Sequence, residues 1–290
     1  MDNKELVVML NRDLGDEHAA VVRYLIHSYL EGEDSPLGAS LLSRAREEMW
    51  HMHWLGKIIA QKGGEPDMTA AEYPHDPSNR STIFQSYVEY EKKLIPHYNQ
   101  EADKIDDPHI ERVLRREAWE SEMHAAKFQR ILDKLSPEEA EGLPGGESEL
   151  PGEFLNKLQK AVAKKYTQMI QHIRDSWVFQ KQGMEAWQIM DFSMTQMKQL
   201  AHLAEDVAEN GMTPRFELGE IEKNTSIGLA LEKAVQHLRE SRNRHLQFAE
   251  DSEAQKHKGF MINLDLTLKQ EKYEQEEVQD WISKKGKNRE

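Results

Sequence analysis

Apolar residues recur at spacings of three and four over long stretches of this 290-residue chain, and alternating β-branched runs are absent. That is the period of amphipathic helices, so the chain must bury its apolar surface by packing helix on helix. Eight helices are predicted, over 3–31, 37–62, 80–105, 108–134, 153–182, 185–210, 226–252 and 258–285. Their stops are legible in Gly63-Gly64 followed by Pro66, in Asp107-Pro108 and in Asn210-Gly211. Between the fourth and fifth helices, residues 136–153 are rich in Pro, Gly and Glu and read as a linker. A boundary near 145 gives two domains, 1–145 and 146–290, each long enough to bury a core of its own.

The two parts align with each other. L-N-R-D-L at 10–14 matches L-Q-K-A-V at 158–162, an offset of 148. At the same offset E-E-M-W-H-M-H-W-L (47–55) matches T-Q-M-K-Q-L-A-H-L (195–203). Near the ends, R-E-A-W-E-S-E-M-H (116–124) matches Q-E-K-Y-E-Q-E-E-V (270–278) at an offset of 154. A repeat of this length is a whole domain rather than a solenoid unit. In each part the first and last links are short while the middle one, 63–79 or 211–225, is long. Antiparallel neighbours need only a few linking residues, whereas about 15 can run the length of a bundle. The expected fold class is therefore all-α, two tandem four-helix bundles with up-down-down-up topology and a long middle crossover.

Composition narrows the function. The net charge of −14 disfavours nucleic acid and anionic membrane as partners and favours cations. With no Cys, disulfides, thiolate zinc sites, iron–sulfur clusters and thiol catalysis drop out together. No apolar run approaches the roughly 18 residues of a membrane span, and the opening MDNKELVVML does not read as a signal peptide, so a cytoplasmic protein is expected.

In the first part the inward line of every helix is interrupted by ionisable groups. Helix one runs Leu6, Leu10, Leu14, Glu17, Val21, Tyr24, and helix two Leu41, Ala45, Glu48, His51, Leu55, Ile58. Helix three gives Phe84, Tyr87, Glu91, Leu94, Tyr98. Helix four gives Ile110, Leu114, Glu117, Glu120 or Ser121, His124, Phe128, Ile131. Glu17 or Glu91 alone would read as a residue at a helix flank, and a single Glu-x-x-His pair arises often by chance. Together, four helices turn carboxylates and imidazoles toward one interior, which is costly unless cations compensate. Glu48 and His51, three residues apart, reach one ion, and the set fits a dinuclear carboxylate site. His18, His53, His97 and His109 have no inward partner in this reading.

L-N-R-D-L-G-D-E-H-A-A-V-V-R-Y-L-I-H (10–27) with E-E-M-W-H (47–51) resembles the first two helices of bacterioferritin, within the ferritin-like superfamily. V-L-R-R-E-A-W-E-S-E-M-H-A-A-K-F (113–128) looks more like rubrerythrin-type proteins. The resemblance implies two iron ions, with manganese as the alternative, reacting with O2 or peroxide. It implies Glu17 and Glu91 as terminal ligands, Glu48 as the bridge, His51 and His124 as imidazole ligands, and Tyr24 as a donor beside them with a catalytic part. The pattern departs in helix four, where Ser121 stands three residues before His124 and either Glu120 or Glu117 must serve; Glu120 is favoured. By the same resemblance Met49, with its repeat partner Met197, stands where bacterioferritin holds haem between two subunits. Met is also a common filler of bundle faces, and haem is the lesser expectation.

Carried across the repeat, Glu17 becomes Lys165, Glu48 Gln196, His51 Gln199, His124 Val278 and Tyr24 His172. Glu117 and Glu120 keep Glu271 and Glu274, while Glu91 falls on Val235 or Glu232. The second bundle is thus expected to lack a metal site. An ammonium at 165 would stand in for the lost cation, with Gln196 and Gln199 bonding the remaining carboxylate oxygens. The expected activity is oxidation of ferrous iron by O2 or peroxide. Alternatives are peroxide removal with an external reductant, as in manganese catalase or rubrerythrin, and a non-catalytic metal buffer or scaffold. A homo-oligomer or an intrachain pseudo-dimer is the expected assembly.

Overall fold

The computed structural model describes residues 1–143 and 150–287. Its contacts divide the chain into two compact units, Met1–Gly145 and Gly146–Glu290; the boundary expected near 145 itself lies outside the described residues. The described residues form helices and no strands. No helix among them is long and apolar enough to cross a membrane.

Unit 1 consists of α1 (Asn3–Glu31), α2 (Pro36–Gln61), α3 (Arg80–Ala102), α4 (Pro108–Leu132) and the short α5 (Pro137–Glu141). Each start carries a side-chain cap: Asp2 and Glu5 make a capping box on α1, Ser35 precedes Pro36, Asn79 pairs with Thr82, and Asp107 precedes Pro108. Glycines with positive φ, Gly32 after α1 and Gly63 after α2, end the first two helices in a conformation other residues avoid. At the α1–α2 corner, a Cβ on Gly38 would stand 2.0 Å from the Gly32 carbonyl oxygen, so only glycine fits that approach. The inward lines read from the sequence are buried throughout, save half-buried Ile131. The third helix stops at Ala102, three residues short of expectation. The supposed linker contains α5, whose capping box joins Ser136 to Glu139.

Chain direction follows from the bonds. Asn3 donates to the carbonyl of Lys62, bringing the end of α2 beside the start of α1. The crossover then climbs α1: Ala71 N donates to Gly15 O and Tyr73 reaches Tyr24. Arg80 closes the climb on Glu31, and α3 descends, with Glu91 opposite Tyr24 and His97 opposite Asp13. α4 returns along α3.

Unit 2 consists of α6 (Gly152–Val178), α7 (Met184–Glu209), α8 (Ile227–Glu250) and α9 (Lys258–Lys287), with a 3-10 turn at Gln180–Gln182, inside a predicted helix, and another at Ala254–Lys256, in a predicted link. α6 packs along α7 and α8 along α9. Its crossover climbs α6 as the first climbs α1, and the fastenings correspond. The Asn11 amide donates to Glu65 O and accepts from Asp67 N; 148 residues on, the Gln159 amide donates to Thr213 O and accepts from Arg215 N. Where Ala71 N bonds Gly15 O directly, Gly219 N bonds the Thr167 hydroxyl, which donates to Ala163 O.

Candidate metal centre

Glu17 from α1, Glu48 and His51 from α2, Glu91 from α3 and His124 from α4 all lie at most 3 % exposed. They form two clusters that share Glu48, Glu17–Glu48–His51 and Glu48–Glu91–His124, in each of which one ligand atom per residue lies within 4.8 Å of the others. His51 Nδ1 stands 3.0 Å from Glu17 Oε2 and 2.8 Å from Glu48 Oε2. His124 Nδ1 stands 2.7 Å from Glu48 Oε1 and 3.4 Å from Glu91 Oε1. Although Glu48 Oε1 and His124 Nδ1 approach so closely, neither satisfies the other in a hydrogen bond. Buried atoms arranged in this way suit convergence on a shared third atom.

The outer ring nitrogens are held from behind. His51 Nε2 meets Glu120 Oε2 at 2.5 Å, and His124 Nε2 meets Glu47 Oε2 at 2.6 Å. A carboxylate behind a metal-facing imidazole fixes its tautomer and ring orientation. Glu120, favoured from the sequence as the fourth-helix ligand, therefore takes another place: it stands behind His51 and also accepts from Arg116 Nε at 2.8 Å. Glu117 is the fourth-helix carboxylate turned to the interior, fully buried with both oxygens unpartnered. Tyr24 hydroxyl donates to Glu91 Oε1 at 2.5 Å and lies 3.0 Å from the Tyr73 hydroxyl, while Tyr98 hydroxyl donates to Glu17. Tyr98 and Glu47 take part although the sequence reading gave neither a role. Tyr98 stands on the inward line; Glu47, next to Glu48, carries no periodic signal. Met49 and Met197 are each half-buried within their own units.

The electrostatics are those of crowded, buried carboxylates and imidazoles. Burial pushes Glu17 up to about 8, with His51 drawing it down and Glu48 adding to the rise. Burial, and next the charge of Glu17, hold Glu117 well above the carboxylate range. Glu48 goes the other way, because His124 and His51 overcome the effect of burial and hold it well below its ordinary value. Burial disfavours both imidazolium ions, yet Glu17 and Glu48 hold His51 well above its usual value, and Glu48 and Glu47 push His124 up to about 12. Protons held on these imidazoles would have to leave for the same nitrogens to take cations. Glu17, Glu48, Glu91 and Glu117, with neutral imidazoles, would be balanced in charge by two divalent ions. The donor set fits such a pair.

Two expectations about the other histidines change. His18 is buried, bonded to the Met68 backbone, with burial lowering it to about 4. His97 has a partner, Asp13 Oδ1, at 3.1 Å.

In unit 2, Lys165, Gln196, Gln199, Glu271 and Glu274 are all buried. Lys165 Nζ donates to Glu271 Oε1 at 3.1 Å, the compensation expected from the repeat. The amides behave differently from expectation: Gln199 Oε1 accepts from Lys165 at 2.6 Å, and Gln196 Oε1 has no partner. The second bond to Glu271 comes from His245 Nδ1, at 2.9 Å. Counted from the N-caps Asn79 and Ser226, His245 corresponds to Tyr98 and fully buried Leu238 to Glu91, correcting the earlier choice of Val235 or Glu232. Among the described residues, all three groups of side chains able to hold a metal ion lie in unit 1.

A family model described as a ferritin-like domain matches residues 8–137, a span that lies within unit 1. No curated protein matches the chain.

Proposed function

We propose that unit 1 binds two iron ions, one at Glu17, Glu48 and His51 and one at Glu48, Glu91 and His124, and oxidises ferrous iron with O2 or peroxide. The observation that carries this reading is the pair of buried clusters joined by one carboxylate, each with an imidazole held from behind. Two ferrous ions give up one electron each, and O2 with two protons becomes peroxide; peroxide with two further electrons and protons becomes water.

The residues supply placement and proton control. Glu48 faces both imidazoles, so one side chain can link the two ions. Glu117 adds a carboxylate with no competing partner. Tyr24 is held in its protonated form by burial and by the neighbouring charge of Glu91, and its hydroxyl keeps a proton at Glu91 Oε1. The aromatic wall of Tyr24, Tyr87 and Phe128 walls the Glu91 end off from water.

Unit 2 reads as a second bundle of the same plan in which Lys165 occupies the place of an ion. The matched amide fastenings at an offset of 148 support a tandem form, and the residues of 10–27 and 47–51 support the nearer likeness to bacterioferritin. The test is oxidation of ferrous iron by the purified full chain, with O2 and with peroxide as separate oxidants. Wild type is expected to exceed buffer, and Glu48→Ala with His51→Ala to abolish the excess. Equal rates for the two proteins would end the oxidase reading; rapid peroxide consumption without net iron oxidation would replace it with peroxide removal.

A further inference from the structure

Outside the two clusters around Glu48, unit 1 brings together Asp13 and Asp16 on α1 with His97 on α3. Positions three apart on a helix share a flank, so both carboxylates face the descending α3. One ligand atom from each residue lies within 4.8 Å of the others. That is close to the span across a single ion whose ligands stand about 2.0–2.6 Å away.

Acidic groups gather on many surfaces without binding anything, but one member of this group is withdrawn from the surface. Asp13 is fully buried, and its Oδ2 has no hydrogen-bond partner among the described residues. Glu101, 5 % exposed, turns a second unpartnered oxygen, Oε2, toward His97 Nε2 at 3.5 Å. The partners present leave a deficit of positive charge. Among the described residues Arg12 is the one full cation in contact, reaching Glu101 and Asp13 together, against Asp13, Asp16 and Glu101. Tyr90 adds a hydroxyl to Asp16 Oδ1 at 3.3 Å, which satisfies an oxygen without adding charge. Three carboxylates against Arg12 and the His97 imidazole leave at least one negative charge over, beside a carboxylate wholly removed from water, and a buried unpaired charge is costly.

We propose that Asp13, Asp16 and His97 bind one divalent transition-metal ion, with Glu101 as a fourth donor. The imidazole favours a transition metal over magnesium or calcium. The His97 side chain is 30 % exposed and Asp16 half-buried, so the ion arrives from solvent. The site opens to solvent on its own flank of the unit, and it binds whether or not the central clusters are filled.

Manganous ion alone is the probe, with the full chain, counted by the electron paramagnetic resonance signal of free ion during titration. Wild type is expected to bind three ions. Glu48→Ala with His51→Ala is expected to keep one, and adding His97→Gln and Asp16→Asn to weaken that last ion by about tenfold or more. If the central double variant binds none, or its retained ion ignores His97→Gln and Asp16→Asn, the proposal is overturned. If that variant loses no ion while one ion responds to His97→Gln, the Asp13–Asp16–His97 site stands and the central reading falls. Should the central variant not fold, anomalous scattering at the manganese edge from wild-type crystals decides: a peak between Asp13, Asp16 and His97 supports the site, and none at saturating ion overturns it.

Discussion

Replacing Lys165 with methionine removes the one full cation bonded to Glu271 among the described residues while preserving most of the side chain's volume. Glu271 is fully buried and is held down to about 2, against its own burial, by Lys165 first and then by His245. A fall from 4.5 to about 2 corresponds to roughly 3 kcal/mol of stabilisation of the charged form. Loss of one partner of a buried pair typically costs about 3–5 kcal/mol, which agrees. Lys165→Met should therefore destabilise unit 2 by about 3 kcal/mol at neutral pH, and Glu271→Gln on top of it should restore at least half of that. The sign with pH follows. A carboxyl depressed in the folded state contributes fully above its unfolded pKa, and the contribution disappears as pH falls from about 4.5 toward 2. Lys165 runs in the opposite sense: burial lowers its pKa, so its charged form is a cost below that value. The wild-type loss in this acid window should vanish in Lys165→Met. The assay is urea unfolding of the whole chain, read by hydrogen exchange in α6 and α9 peptides. An unchanged midpoint there, or a double variant no more stable than the single, would refute the buried-charge argument.

Loading unit 1 with manganous ion at pH 7 should release about three to four protons per chain, from His51, His124, Glu17 and Glu117, so affinity rises with pH; calorimetry in buffers of different ionisation enthalpy measures this, and heats independent of buffer would contradict it. Glu120→Gln, which weakens the support behind His51, should lower affinity at the Glu17–Glu48–His51 cluster by about 10–100-fold and leave the fold intact, as circular dichroism would verify. Gly38→Ala forces a methyl onto the Gly32 carbonyl and should destabilise unit 1 by about 1–3 kcal/mol in urea unfolding, against no change if the corner can relax.

Helical period and capping residues made most of the scaffold legible in the sequence. The inward lines of α1 to α4 need only the helical repeat, and the residues on them are buried nearly as read. What stayed hidden depends on how separate helices meet. Glu117 and Glu120 both lie within about 40° of His124 around α4, an angle too small to decide which faces inward. Arg116 and the outer nitrogen of His51 decide it by holding Glu120 at the rim. His97 and Asp13 pair because the crossover sets the height of α3 against α1, which no single-helix pattern encodes. Leu238 was missed because the repeat shifts register between α6 and α9, and only the caps of α3 and α8 restore the count. The Ser136–Glu139 signature of α5 was available, but composition masked it as linker.

The amides of Asn11 and Gln159 each grip their crossover as a peptide group would, one bond given and one received. Neither side chain carries charge or titrates. The route of the chain over each unit is consequently indifferent to what the interior holds, whether ions, protons or an ammonium. A scaffold fastened by neutral groups can exchange its inner residues one at a time without passing through a misrouted intermediate. Fold and chemistry are then separable in each unit, one written at the rim of α1 and α6 and the other at their centres.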